Sequence, residues 1–243
     1  KDFKILIKDK NIIIESLSSS YKNSYTKKLI STLKKYKNFK VIGMGGSILG
    51  TESIYDFLKH KIKKNFYFYN NLHPTIELKN YKKCINLIVS KSGNTLETIS
   101  NTNLILKKKE KNIFITENKK SYLFTLAQKL KSEIVHHNNF IGGRYSVLSE
   151  VGMLPAELMG LNIENFKQMN NLIKNRKFID SLTKNVSSTL FLMKQKKFNS
   201  IILNYDEKSE NLFNWYQQLV AESLGKKGKG ILPIVSLMPK DNH

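Results

Sequence analysis

The stretch INLIVSKSGNTLETIS, Ile85 to Ser100, changes character twice. It begins as a short apolar run, passes through a loop of Ser, Lys, Gly, Asn and Thr, and resumes as a helical pattern from Thr95. An apolar run that does not alternate reads as a strand covered on both faces. A strand leading at once into a helix is the unit of a parallel sheet. The same reading extends outward. Phe39–Met44 reads as a first strand, followed by a helix over Ser47–Lys61; Phe66–Asn70 is a second strand and Ile85–Ser90 the third. A helix over Thr95–Lys109, a strand at Asn112–Thr116, a helix over Ser121–Lys131 and a short strand near Ser132–His137 complete the series. The expected fold class is α/β, a doubly wound parallel sheet in three layers with helices on both faces.

A chain of 243 residues with 40% hydrophobic and 10% aromatic residues has room for one large or two smaller cored domains. No apolar run approaches the roughly 18 to 20 residues that cross a bilayer, and KDFKILIKDK at the start lacks the long apolar centre of a signal peptide. No membrane partner is expected. Cys84 is the single cysteine, which excludes an internal disulfide and a cysteine metal cluster and suits a cytoplasmic protein. The chain opens on Lys1 rather than Met and stops at His243 inside a continuing pattern, so it is expected to be a piece of a longer protein. The net charge of +22 invites a nucleic-acid reading, but only Arg144 and Arg176 of the 41 basic residues are arginines. The lysines are scattered, without the arginine forks and interleaved aromatics of a nucleic-acid surface. No nucleic-acid partner is expected.

In a doubly wound sheet, ligands sit beyond the carboxyl ends of the strands. The glycines mark those places: Gly43, Gly45, Gly46 and Gly50 follow the first strand, Gly93 the third, and Gly142 and Gly143 open GGRYS. GMGGSILG is neither a P-loop nor a dinucleotide fingerprint, since it lacks a GK[ST] ending and carries Ile48 at its sixth position. Ser47 stands where a helix would begin, as a cap that also turns backbone N–H groups toward an anion; a Gly-rich turn with an ordinary Ser cap is the plainer alternative. SKSGNTLET is richer. Ser90, Ser92 and Thr95 put three hydroxyls around one turn at a helix start, and Lys91 adds charge, a cradle suited to a phosphate monoester on a small molecule.

GMGGSILG, SKSGNTLET, GGRYSVLSEVGMLPAELMGL and NWYQQLVAESLGKKGKGILP together resemble the glucose-6-phosphate isomerase family, which is built from two sugar-isomerase (SIS) domains. The resemblance runs from about Gly43 to the end, and the last two motifs are its specific part. It implies a first SIS-like domain over residues 1–161 and the start of a second over 162–243, where one strand, GILPIVSL, is expected. It implies interconversion of glucose 6-phosphate and fructose 6-phosphate through an enediol intermediate, in glycolysis and gluconeogenesis. Carried over residue by residue, it assigns the phosphate to Ser47, Ser90, Lys91, Ser92 and Thr95, with the Gly46 backbone beside them. Glu222 matches the general base, Arg144 the cation facing the enediolate, and Gln218 a substrate-contacting glutamine. His243 matches a histidine that assists ring opening from the neighbouring subunit of a homodimer. A lysine that the family places near its carboxyl terminus lies beyond His243.

The chemistry agrees with those roles. Aldose–ketose interconversion removes a proton from carbon, which asks for a base and a cation for the developing oxyanion; no metal or other cofactor is expected. Gln218 and Glu222 are four residues apart, on one face of a helix that should end at Gly225. Plainer readings stand beside these. Glu222 could be a solvated carboxylate before a glycine cap, Arg144 a structural partner of Glu150 or Glu157, and His243 a terminal residue without a role. His136 and His137 read as structural, while His60 and His73 have no assignment. A noncatalytic SIS-type sugar-phosphate-binding module would need the cradle but neither Glu222 nor Arg144. A bifunctional isomerase that also takes mannose 6-phosphate would share every motif.

Overall fold

A computed structural model describes residue 5 and residues 11–72, 83–107 and 110–238. His243 and His73 lie outside the described residues. The strands read from the sequence are present as β1 (Asn38–Ile42), β2 (Asn65–Tyr69), β3 (Cys84–Val89), β4 (Lys111–Thr116) and β5 (Glu133–His136). They form one parallel sheet in the order β2-β1-β3-β4-β5. The helices around it are α1 (Ile12–Ser16), α2 (Lys27–Lys34), α3 (Leu49–Phe57), α4 (Leu96–Ile105), α5 (Tyr122–Lys129) and α6 (Glu150–Leu158).

The central strands are mostly apolar because both of their faces are covered. Phe39, Val41, Leu87, Ile113 and Ile115 pack with Leu33 of α2 and with Val151, Leu154 and Leu158 of α6. One residue along, the side chains point the other way. Ile42, Ile88 and Phe114 therefore meet Ile105 of α4 and Leu123 and Ala127 of α5. Each such side chain contributes about 1.5–3 kcal/mol when fully buried. The second face also contains polar neighbours in register, Lys40, Asn86 and Asn112. Lys40 reaches Glu110 at 3.0 Å, and Asn86 Nδ2 donates to Glu110 Oε2 and Asn112 Oδ1, which gives the buried ammonium an anion and the carboxylate further donors.

Two expectations need correction. The helix expected over Ser47–Lys61 is interrupted: a 3₁₀ turn at Gly45–Ser47 precedes α3, and another at Lys59–Lys61 follows it. Ser47 closes the first turn, and Ile48, which has no capping side chain, occupies the cap position of α3. Beyond the first sheet, where the sequence suggested one strand, there are two. After α7 (Met169–Lys174) and α8 (Arg176–Lys194), β6 (Asn199–Asn204) leads through α9 (Glu210–Leu224) into β7 (Leu232–Leu237), and β6 pairs with β7 in parallel. The run SIILN is too short for periodicity to separate a strand from a helical segment. Ile201, Leu203 and Leu232 of this pair are exposed, as are Leu182, Val186, Leu190 and Phe191 of α8. Among the described residues no helix is long and apolar enough to cross a membrane.

Candidate active site

In the order β2-β1-β3-β4-β5 the chain leaves β1 toward one edge of the sheet and β3 toward the other, so the loops after these neighbours open a crevice between them. The two loops touch at their roots: a Cβ on Gly43 would lie 3.1 Å from the Val89 carbonyl oxygen. After β3, the Ser90 hydroxyl accepts the Gly93 N–H at 3.2 Å and lies 3.1 Å from the Thr95 hydroxyl. Ser92 accepts from the Asn94 N–H at 3.2 Å. Gly93 has φ +65, and any Cβ there would drive into the Ser121 side chain, so the loop depends on glycine at this point. Thr95 precedes α4 without capping it, which leaves the first amides of α4 open toward the loop. Lys91 is drawn toward Glu117, at 3.3 Å.

The second half of the site is assembled by close backbone approach. Gly142 is followed by a 3₁₀ turn, Gly143–Leu148, that lies against the Gly45–Ser47 turn. A Cβ on Gly46 would sit closer than 3.0 Å to the Gly143 backbone. The Ser146 hydroxyl lies 2.7 Å from the Gly143 carbonyl oxygen and 3.2 Å from that of Gly46. α9 then docks on α3. Gly50 faces Val147 and Trp215, the Ser53 hydroxyl donates to the Asn211 carbonyl oxygen at 2.6 Å, and Asn211 Nδ2 donates to Asp56. Gly45, at φ +54, leaves room for Gln218, whose Nε2 would be 2.7 Å from a Cβ there.

This docking brings Arg144, Gln218 and Glu222 together. Arg144 Nε lies 3.5 Å from Glu222 Oε2, and Nη1 donates to the Ser223 hydroxyl at 3.3 Å. Gln218 Nε2 donates to Glu222 Oε1 at 2.8 Å, while its own Oε1 is buried with no partner among the described residues. The Arg144 side chain is 24% exposed and that of Glu222 50%, so the cation is partly sheltered and the carboxylate open to a ligand. Neither alternative partner claims Arg144: Glu150 binds His137 and Tyr21, and the cation near Glu157 is Lys34, at 3.9 Å. His137 is buried and bonded through both ring nitrogens. α9 ends at Leu224, with Gly225 as its cap. Asn211, which helps to dock α9, carried no signal in the sequence, and Ser146 and Ser223 lay inside quoted motifs without an assigned role, because each meets a partner remote along the chain.

The spatial union of GMGGS, GGRYS and QQLVAES agrees with a comparison against family models, in which residues 8–231 match the model described as phosphoglucose isomerase. The chain belongs to the phosphoglucose isomerase family. It is 37% identical over 230 residues to a glucose-6-phosphate isomerase of Methanocaldococcus jannaschii, an alignment covering 87% of this chain and 56% of that relative. It is 33% identical over 247 residues to a glucose-6-phosphate isomerase of Mycoplasmopsis pulmonis, covering 89% of this chain and 57% of the relative. The chain thus spans little more than half the length of these phosphoglucose isomerase relatives. Among solved structures, a hypothetical protein from Thermus thermophilus superposes with a TM-score of 0.71 at 23% identity, covering 98% of this chain and 60% of that one. A tagatose-6-phosphate ketose/aldose isomerase from Escherichia coli superposes with a TM-score of 0.57 at 14% identity, covering 86% and 59%. Both likenesses concern the fold, a parallel sheet with helices on both sides.

Proposed function

We propose that the natural protein containing this chain interconverts glucose 6-phosphate and fructose 6-phosphate, with Glu222 as the base. The observation that carries the reading is the Arg144–Glu222 approach of 3.5 Å beside the glycine turn at Gly45–Ser47. The glucose-6-phosphate isomerase relatives support it. In this reading the phosphate rests on Ser47, Ser90, Ser92, Thr95 and the amides of Gly46 and α4, and Lys91 balances its charge against both the phosphate and Glu117. With the open-chain aldose bound, Glu222 takes the proton from C2. The C–H electron pair becomes the C1–C2 π bond, and the carbonyl pair moves onto O1 as the enediolate oxygen. Arg144, always charged and planar, stabilises that oxygen. Return of the proton to C1, with the O2 hydroxyl proton passing to O1, leaves the ketose. Gln218 orients Glu222 through its 2.8 Å bond and would contact the sugar beside it.

His243 would assist ring opening from a neighbouring subunit, which requires a homodimer in the cytoplasm. Residues 1–161 would form one sugar-isomerase domain and 162–243 the start of a second, opened by β6, α9 and β7. A noncatalytic binding module is the weaker reading, because it has no use for a base and an arginine held together at the crevice. The test is a coupled assay of fructose 6-phosphate conversion by the full natural chain, with Glu222→Gln beside it. Turnover that collapses in the variant while phosphate-ligand binding persists supports the isomerase; binding without turnover in a folded parent favours the module.

A further inference from the structure

Arg144 sits in the middle of the segment from Asn138 to Ser149, and the two ends of that segment are joined by a buried acid–base pair. His137 follows the last residue of β5, and Glu150 opens α6. Their side chains are 1% and 0% exposed, with His137 Nδ1 2.6 Å from Glu150 Oε1. Glu150 also accepts the Asn138 N–H at 3.1 Å and the Tyr21 hydroxyl at 3.0 Å. The other ring nitrogen of His137, Nε2, lies 3.0 Å from the carbonyl oxygen of Ile141, two residues before Gly143.

The acceptors around the ring decide where its protons are. A carbonyl oxygen can only accept, so Nε2 donates. Burial by itself would push the Glu150 carboxyl up, but the His137 bond and charge and the N–H donors hold it below the ordinary range. An ionised carboxylate only accepts, and the Glu150 oxygens are filled by the His137 ring, the Asn138 N–H and the Tyr21 hydroxyl. Compared with an apolar pair of the same shape, a buried ion pair adds little net stability. What this one adds is direction: a single ring ties the end of β5, the start of α6 and the Ile141 carbonyl into one arrangement. On the far side of Arg144, Ser146 ties the Gly143 and Gly46 carbonyls.

We propose that His137 and Glu150 are positioning residues for Arg144, holding the Ile141–Gly143 backbone so that the guanidinium stands against Glu222. The inference rests on the isomerase reading above. Among the described residues neither member of the pair hydrogen-bonds the Ser90–Thr95 cradle, so loosening the pair misplaces the cation while that half of the proposed phosphate site keeps its own bonds.

The experiment compares the full natural chain with His137→Gln and Glu150→Gln in fructose 6-phosphate turnover, below the melting temperature of each. A misplaced catalytic group costs up to about a hundredfold, so kcat should fall about tenfold to a hundredfold while KM stays within about threefold. Folded variants that melt lower yet keep the parental kcat would overturn the proposal and leave a purely structural pair; a raised KM with unchanged kcat would do the same. Should neither variant fold, Tyr21→Phe, which removes one donor to Glu150, decides by the same split: a lower kcat at parental KM supports the clamp, and a parental kcat overturns it. A folded but inactive parent would sink the isomerase reading itself, and the inference with it.

Discussion

Arg144 Nε stands 3.5 Å from Glu222 Oε2, joining a turn that follows the first sheet to a helix that connects the second. Glu222→Gln keeps the shape and removes the carboxylate proposed as the base, so kcat should drop about a hundredfold to ten-thousandfold. Arg144→Lys keeps the charge and loses the planar fork, which should cost kcat about a hundredfold or more. KM should change little in both, because the phosphate is held elsewhere. Steady-state kinetics on the full chain check this, and a large rise in KM with kcat preserved would count against the assignment.

The contact between the Gly45–Ser47 and Gly143–Leu148 turns is backbone on backbone, so it has no flexible side chain to yield. Gly46→Ala puts a methyl against the Gly143 backbone and should destabilise by about 1–3 kcal/mol, with lower turnover. Gly160→Ala is the control. Gly160 has φ +90 with no atom within 4 Å of its Cβ position, so only backbone strain, roughly 1 kcal/mol, is added and turnover persists. Equal loss of activity in the two variants would contradict the role given to the turn contact.

Lys40 is 2% exposed at its side chain and bonded to Glu110 at 3.0 Å. Lys40→Met leaves that carboxylate sheltered without its cation and should cost about 3–5 kcal/mol in a denaturant titration. The site lies beyond the carboxyl ends of the strands, whereas Glu110 stands just before the start of β4, so the kinetics should persist in whatever fraction remains folded.

Glu52, in α3, has its carboxyl pushed up to about 7, by burial first and then by the charge of Asp56, against an opposing bond from Asn70. The folded state therefore holds a proton that an unfolded carboxyl, ordinarily at 4.5, gives up. That contribution is complete below the unfolded value and lost as the pH rises through about 7. Glu150 works in the other direction: its carboxyl is held low, so its contribution is present above the ordinary carboxylate range and lost as the pH falls. Glu52→Gln should remove a loss of stability on the order of 2 kcal/mol between pH 4.5 and about 7, flattening the fall of melting temperature there without changing the acid side. A pH series of thermal melts checks it, and an unchanged slope in the variant would contradict the assignment.

Much of the fold was legible because covered strands announce themselves. Leu87 to Val89 and Ile113 to Ile115 are apolar without alternation, since helices cover both faces, and five parallel strands followed from that pattern. Gly93 was legible as a turn residue, since positive φ beside Ser121 leaves little choice of side chain. β6 escaped because SIILN is too short to show a period, and the role of Ser47 as a cap was misread because the turn before α3 closes one residue early.

The amino-acid sequence by itself determined the layers, the place of the loops and the residue types capable of the chemistry, because these depend on local periodicity and on backbone freedom at particular glycines. Only the tertiary structure decided which charges meet. Arg144 faces Glu222 rather than Glu150 or Glu157, and Glu150 is taken instead by His137 and Tyr21. Those pairings are set by the docking of α9 on α3 and by the close approach of Gly46 to Gly143, contacts between segments remote in the chain that no local pattern encodes.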